Sequence, residues 1–387
     1  MVMTDLRQRN HTLNLQEFRE GALLLESYPT VIFVELTQNC NMKCTMCRSA
    51  SSNSASLNMK DDLFNEIAQQ LFPAAMMVDL RGWGESTVRS DFEEKVQKTI
   101  DYGPRIRLVT NALSLRQSTW QLLMNSGAQV TVSVDAVVQK TANLLNRGCL
   151  VQLKKSLMNG ANAAATSASD PTINFNTVVS SQNILEIPAI VAMASEFGVR
   201  RVTLFPVVAN RGSQLHIERK RSDIGRVLAD AAQVAHKENV ELRIGASIDE
   251  EYVNAAGLPT RCIHPWSYAY ISHTGAVGYC DHLIGHESLT LGRFSGDSFA
   301  ATWNAHSFQA LRAEHLLHHQ TTPFNRNRCG EFKHCNWCYR RRYVDFEDEI
   351  HPSNFERVVG TSGHDPTEVL TKGSFLRDDF LNGGGGL

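Results

Sequence analysis

The sequence predicts an α/β fold in which short strands alternate with helices around a largely parallel sheet, and its patterning and composition carry that prediction. Between Val31 and about Phe205, β-branched apolar runs of strand length alternate with amphipathic stretches of helical spacing. With 387 residues, 42% hydrophobic and 20% charged, the chain can bury a sizeable core without disulfides. Lys+Arg total 38 and Asp+Glu total 40, a net charge of -2, so the global positive field of a nonspecific nucleic-acid binder is absent. No apolar run approaches the roughly 18 residues that cross a bilayer. The N-terminus MVMTDLRQRNHTLNLQEF lacks the apolar segment of a secretion signal. A cytoplasmic protein with no nucleic-acid or membrane partner is expected.

Taken in order, residues 1–30 form an N-terminal extension, and six strands follow at Val31–Leu36, Met77–Leu80, Ile106–Thr110, Gln129–Val134, Ile173–Val179 and Arg201–Pro206. Asp61–Leu71, Asp91–Asp101 and Ile184–Phe197 have helical apolar spacing. Six βα units fit either a doubly wound open sheet or an incomplete barrel, and both place chemistry at the C-terminal ends of the strands. The Gly/Ala/Ser/Asn-rich stretch Asn159–Asp170 reads as a surface loop, and Arg211–Ser222 as a polar connector. After about Asp223 the rhythm changes to a helix (Gly225–Asn239), a strand (Glu241–Ile244) and a hairpin pairing Tyr268–Ser272 with Ala276–Tyr279 across Thr274-Gly275. This divides the chain into 1–30, a βα region 31–222, a cysteine-bearing region 223–350, and a C-terminal tail 351–387 whose Gly-rich end, Gly383–Gly386, is expected to fray.

The cysteines carry the chemistry. Nine cysteines without a secretion signal point to metal or redox chemistry, and eight of them cluster. Cys40, Cys44 and Cys47 form a C-x3-C-x2-C run directly after the first strand. Three thiolates so close together can hold three irons of a [4Fe–4S] cluster and leave the fourth open to a substrate or cofactor. The alternative is a structural zinc site, which prefers four closed tetrahedral ligands, and no fourth ligand is obvious nearby.

At these residues the chain resembles the radical S-adenosylmethionine (radical SAM) superfamily. Its members carry this run after the first strand of a partial, TIM-type (β/α)6 barrel. The resemblance extends to Gly82-Trp83-Gly84-Glu85 after the second strand, where the family has a glycine-rich turn contacting the methionine amino group of SAM; here Trp83 interrupts the usual glycine pair. It implies that Gly82, Gly84 and Glu85 bind SAM. Asn111 after Thr110, Ser133 and Asp135 around Val134, and Asn176 with Thr177 would contact SAM or line the barrel. Arg147-Gly148 is similar in position. For each of these polar residues singly, a turn or capping role is the alternative. By the same resemblance, SAM chelates the open iron, and an electron from the cluster breaks it into methionine and a 5′-deoxyadenosyl radical that abstracts hydrogen from substrate. Met42 and Met46 would contribute to a dry shell, or simply pack the loop.

Cys262, Cys280, Cys335 and Cys338 supply four more thiolates, a full cluster shell. Their spacing resembles the SPASM auxiliary-cluster domain or its shortened twitch version, a small α+β domain after the barrel. With five cysteines in this region, fewer than the full motif, one auxiliary [4Fe–4S] cluster is implied. Cys329 has three roles open: replacing one of the four, donating hydrogen to a substrate radical as a free thiol, or packing as a plain buried cysteine. A zinc ribbon is the alternative for the region. His264, His273, His282, His286 and His334 read as surface groups or as neighbours of the ligands.

An auxiliary cluster can accept an electron from a substrate radical or return one, which suits oxidation or epimerisation. The expected substrate is a small polar molecule, a sugar, aminocyclitol or nucleoside in a natural-product pathway. Peptide maturases commonly carry a leader-binding domain before the barrel, whereas about thirty residues precede Val31 here, and that shortage together with the reduced cysteine count favours the small substrate. The alternatives are a maturase acting on a ribosomally made peptide and, from another class, a non-catalytic iron–sulfur or zinc module. A flavodoxin or ferredoxin is the expected electron donor.

Overall fold

The computed structural model describes residues 2–47, 54–207, 214–215, 221–244, 263–280, 290–294 and 298–321. Seven strands run parallel in chain order: β1 (Val31–Val34), β2 (Met77–Asp79), β3 (Arg105–Thr110), β4 (Gln129–Ser133), β5 (Thr172–Val179), β6 (Arg201–Pro206) and β7 (Glu241–Ile244). On the other side of β1 lies β8 (Tyr268–Ile271), also parallel to it, followed by the antiparallel β9 (Ala276–Gly278) and β10 (Gly292–Arg293). The sheet order is therefore β10-β9-β8-β1-β2-β3-β4-β5-β6-β7. The six expected strands and the hairpin lie within two residues of their expected limits. Two joins were not foreseen. β7 extends the parallel sheet beyond β6, and the hairpin covers the edge that β1 would otherwise expose.

The βα crossovers use α2 (Asp61–Leu71), α3 (Phe92–Tyr102), α4 (Gln117–Asn125), α5 (Gln139–Leu144), α6 (Leu150–Thr166), α7 (Ile187–Glu196) and α8 (Arg221–Glu238). α9 (His264–Ser267), α10 (Phe299–Trp303) and α11 (His306–Thr321) accompany the hairpin. Alternation along the strands separates two faces. Ile32, Val34, Val78, Leu108, Val130, Val132, Phe175, Val202 and Leu204 are fully buried in the core. Their neighbours on the opposite face are largely polar: Phe33, Asp79 and Arg107 share one register row, and Ser133, Asn176 and Thr203 another. Parallel strands are ordinarily apolar on both faces, so this polar face is available to line a site.

Residues 159–170 correct the sequence reading. Most of this stretch is not a loop but the second half of α6, which runs to Thr166. Its alanines favour helix. Gly160 is there for close packing, since a Cβ would meet the Trp120 ring of α4 at 3.0 Å. Trp120 Nε1 also donates to Ser156 Oγ at 3.0 Å. The connector expected over Arg211–Ser222 lies mostly outside the described residues, and α8 begins at Arg221.

Before the sheet, α1 (Val2–Glu20) closes the N-terminal ends of the strands. Asn10 donates to Tyr28 O and Ala74 O at 3.1 Å each, and Asn14 Nδ2 donates to Trp266 O at 2.7 Å. The opposite, C-terminal end of the strands holds the loops that carry the candidate site. Among the described residues, no helix is long and apolar enough to cross a membrane.

Candidate active site

The loop leaving β1 carries the three-cysteine run, and its base is pinned before the first cysteine. Thr37 Oγ1 donates to Asn58 Oδ1 at 2.6 Å, and Asn39 exchanges hydrogen bonds with Ser54 N and O at 2.8 and 2.9 Å. Further along, Cys47 N donates to Cys44 O and Thr45 N to Leu145 O, both at 3.1 Å. Cys40 and Cys44 are half-buried, Cys47 is exposed, and all three are free thiols. Burial pushes the Cys40 thiol up to about 11, and the nearby Glu85, Cys44 and Cys47 charges add to the push. The described side chains form no group of three His, Cys, Asp or Glu already gathered for metal binding. The donor set nonetheless fits an iron–sulfur cluster: three soft thiols on one loop, close enough to feel one another's charge, beside the buried Met42.

The Gly82–Glu85 turn packs directly on this loop. At Gly84 a Cβ would meet Gln38 C at 2.5 Å and Thr37 O at 2.7 Å, so only glycine lets the two backbones touch. Glu85 N donates to Asn39 O at 2.8 Å. The Glu85 carboxylate is buried and caps the following turn. Its Oε1 accepts from Thr87 Oγ1 and Thr110 Oγ1, both at 2.7 Å, and its Oε2 accepts from Asn111 N at 2.6 Å. Oε2 keeps a lone pair for a further donor. Asn111 Nδ2 donates to Asn41 Oδ1 at 2.7 Å, tying the end of β3 to the cysteine loop.

The loop's other side meets Arg147. Its Nε pairs with Asp135 Oδ2 at 2.8 Å, its Nη1 donates to Cys44 Sγ at 3.1 Å, and its Nη2 donates to Ser133 O at 2.5 Å. Burial works against the guanidinium charge, yet Asp135 and Cys44 hold Arg147 above its ordinary value. Burial raises the Asp135 carboxyl, opposed by Arg147 and by the Val178 N–H at 2.6 Å. At Cys44 burial also raises the thiol, while Arg147 pulls the other way. The flanking residues fit this contact. Asn146 and Gly148 take left-handed φ values of 53° and 78°, turning the chain tightly beneath the cysteine loop.

Most of the sequence-predicted residues thus converge: Gly82, Gly84, Glu85 and Asn111 on one side of the loop, Ser133, Asp135 and Arg147 on the other. Asn176 lies beside Ser133 in register, half-buried on the polar face of the sheet. In the hairpin region Cys280 is buried after β9, with His264 Nδ1 3.3 Å from its sulfur, consistent with a histidine flanking a ligand. Cys262, Cys329, Cys335 and Cys338 lie outside the described residues.

Sequence reasoning missed several groups on the polar face. Arg81 and Arg107 both pair with the fully buried Asp79, and both guanidiniums lie over the Phe33 ring. Glu35, the next inward residue after Phe33, is fully buried. Burial alone would push its carboxyl up, but hydrogen bonds from His273 and the Trp83 N–H hold it below its ordinary value. The signal was present as alternation: Val31, Phe33 and Glu35 occupy one face of a strand, and a carboxylate that follows two apolar residues on that face is anomalous unless it is partnered.

Comparison with known proteins agrees with this geometry. The radical SAM superfamily model matches residues 34–204, and the SPASM model, an iron–sulfur cluster-binding domain, matches residues 262–339. The chain is 24% identical over 352 residues to the AdoMet-dependent heme synthase of Methanosarcina barkeri, covering 85% of this chain and 96% of that one. It is 25% identical over 172 residues to mycofactocin maturase MftC of Mycolicibacterium smegmatis, covering 44% of this chain and 43% of that one. Among solved structures, SuiB of Streptococcus suis bound to S-adenosylmethionine shares the fold, with a TM-score of 0.59 at 15% identity over 79% of this chain and 72% of that one. The chain is therefore a radical SAM superfamily enzyme with a SPASM-type cluster domain, and its cofactors are S-adenosylmethionine and [4Fe–4S] clusters.

Proposed function

We propose that this enzyme is a maturase that abstracts hydrogen from a peptide substrate. The observation that carries the reading is the company the chain keeps: a maturase among its relatives, and SuiB, whose structure with its precursor peptide SuiA superposes at a TM-score of 0.57. It is preferred over the small polar substrate expected from sequence, which rested on the length of chain before Val31 and on the reduced cysteine count.

In this reading Cys40, Cys44 and Cys47 hold the SAM-binding cluster, and the Gly82–Glu85 turn, Asn111, Ser133, Asp135 and Asn176 shape the pocket beside it. When bound, cluster and SAM supply a carbon radical strong enough to take hydrogen from an unactivated C–H bond. The protein's part is to orient and to exclude water. The glycines bring backbone against backbone at the cysteine loop, and Glu85 offers its remaining lone pair to an ammonium group. Cys280 belongs to the auxiliary cluster, with Cys262, Cys335 and Cys338 as its remaining ligands; Cys329 stays without a role. A flavodoxin or ferredoxin supplies the electron.

A second reading has its own support. The heme synthase relative aligns over 96% of its length, and the polar face carries two guanidiniums, Arg81 and Arg107, the kind of group that recognises carboxylates on a substrate. One experiment separates the two. The anaerobically reconstituted protein is reduced with dithionite, given SAM, and assayed for 5′-deoxyadenosine with peptides encoded beside its gene or with a carboxylate-bearing iron porphyrin. A peptide that accelerates cleavage and changes mass supports the maturase. Acceleration by the porphyrin alone would replace it with the second reading.

A further inference from the structure

The Gly82–Glu85 turn is supported from beneath by a residue of a distant part of the chain. Glu35 follows β1 and lies with its carboxylate fully buried under the turn, where a Cβ on Gly82 would meet Glu35 Oε1 at 3.0 Å. Its Oε1 accepts from Trp83 N at 3.0 Å, inside the turn. Its Oε2 accepts from Gln38 Nε2 at 3.2 Å, at the root of the cysteine loop. The same oxygen accepts from His273 Nδ1 at 3.0 Å and from His273 N at 3.3 Å.

His273 sits at the tip of the β8–β9 hairpin, which belongs to the auxiliary-cluster region and ends in Cys280. Its arrival opposite Glu35 follows from strand pairing. β8 runs beside β1 with Phe33 opposite Tyr270 and Val34 opposite Ile271, and Glu35 N donates to Ile271 O at 2.9 Å. The tip is stiffened by Ser272 Oγ, which accepts from Ala276 N at 3.0 Å, and by Gly275 in the left-handed region at φ 82°. One buried carboxylate therefore joins three segments: the SAM turn, the root of the cysteine loop and the auxiliary hairpin.

We propose that Glu35 and His273 act as a positioning pair through which the auxiliary-cluster hairpin holds the Gly82–Glu85 turn in its SAM-binding shape. The inference rests on the reading of that turn as the SAM contact. Neither residue need touch SAM. With the His273 ring donor removed, Oε2 loses a charge-assisted hydrogen bond and keeps only the longer ones from Gln38 Nε2 and the main-chain N of residue 273, so the carboxylate is held less firmly and presents the Trp83 N–H with a less fixed acceptor. The pocket then has to be ordered by the ligand itself, which weakens binding.

The test is SAM affinity, measured by equilibrium dialysis on the full-length, anaerobically reconstituted protein, with iron counted in every sample. His273→Ala is expected to weaken SAM binding by about tenfold or more, the scale of one charge-assisted hydrogen bond. Glu35→Gln is expected to weaken it also, and the double variant by less than the product of the two losses, because the residues act through one another. His273→Gln, which keeps an N–H donor, is expected to return affinity to within a few-fold of wild type. A merely structural role would lower the melting temperature of His273→Ala without moving SAM affinity, and that result overturns the proposal. Should His273→Ala fail to load iron, His273→Gln decides, and its failure to restore affinity also overturns the pair. Failure of the wild type to bind SAM would instead overturn the reading of the turn, and the pair with it.

Discussion

Two walls hold the loop that carries Cys40, Cys44 and Cys47, and they differ in what they tolerate. The Gly82–Glu85 turn holds it by shape: backbone lies on backbone at Gly84, and the hydrogen bonds reach main-chain or uncharged partners on the loop. Arg147 holds it by charge, one guanidinium spread over Asp135, Cys44 and Ser133 O. A shape wall should be intolerant of added volume and indifferent to pH. A charge wall should accept small changes of volume but fail when its charge is removed. The pairing of the two suits a site that must fix both the position and the electrostatic setting of one loop.

The largest effect should come from the charge wall. Arg147→Gln leaves Asp135 buried without its cation, a change that typically costs about 3–5 kcal/mol. Urea denaturation of the iron-free variant should show it. The pH dependence has a definite sign. Burial already raises the Asp135 carboxyl, and loss of Arg147 raises it further above its unfolded value of about 3.9. The folded variant then takes up a proton more readily than the unfolded chain, so the penalty is full at neutral pH and shrinks as pH falls. The gap to wild type should be narrower at pH 5 than at pH 8; a gap that does not change would show that Asp135 is not the residue left exposed to the loss. In the reconstituted protein, loss of an N–H donor to Cys44 should also make the SAM-binding cluster harder to reduce, read as a more negative midpoint in an EPR-monitored titration.

The shape wall should fail next, and differently. Gly84→Ala drives a methyl group into the main chain of residues 37–39, where no side chain can swing aside. Overpacking of this kind costs about 1–3 kcal/mol. Because the displaced atoms lead directly into Cys40, iron retained at the three-cysteine loop should drop more than global stability does. The loss should be the same at pH 5 and pH 8. A pH-dependent Gly84→Ala, or a pH-independent Arg147→Gln, would erase the distinction between the walls.

How much of this was legible beforehand follows the same division between local and distant. The strands were readable because β-branched runs of strand length recur between amphipathic stretches, and the cysteine loop because its spacing is itself the ligand geometry. The glycine turn was readable as a pattern, although the reason for each glycine was not: Gly82 answers to Glu35 and Gly84 to the main chain of residues 37–39. What escaped was set by long-range pairing. Arg147 meets Cys44 across 103 positions, and His273 meets Glu35 across 238. Neither contact leaves a local pattern in the chain. The helical half of residues 159–170 was lost for the opposite reason, since Gly160 and its polar neighbours resemble a loop until Trp120 is packed against them.

The smallest effect sits where the shape wall relies on side chains alone. Asn111→Ala removes the hydrogen bond to Asn41 Oδ1 and the one its own Oδ1 accepts from Leu113 N at 3.0 Å. The main-chain N–H of residue 111 still reaches Glu85, so the turn keeps its acceptor pairing. A cost of about 1 kcal/mol is expected, with iron content preserved. Asn41 lies next to Cys40 and also donates to Ser114 Oγ at 3.0 Å, so Asn41→Ala should cost a similar amount. If the two side chains work mainly through each other, the double variant should lose less than the sum, by about 0.5 kcal/mol or more. Strict additivity would mean that the contact contributes nothing of its own, and that main-chain packing at Gly84 and the Glu85–Asn39 hydrogen bond hold the loop on that side unaided.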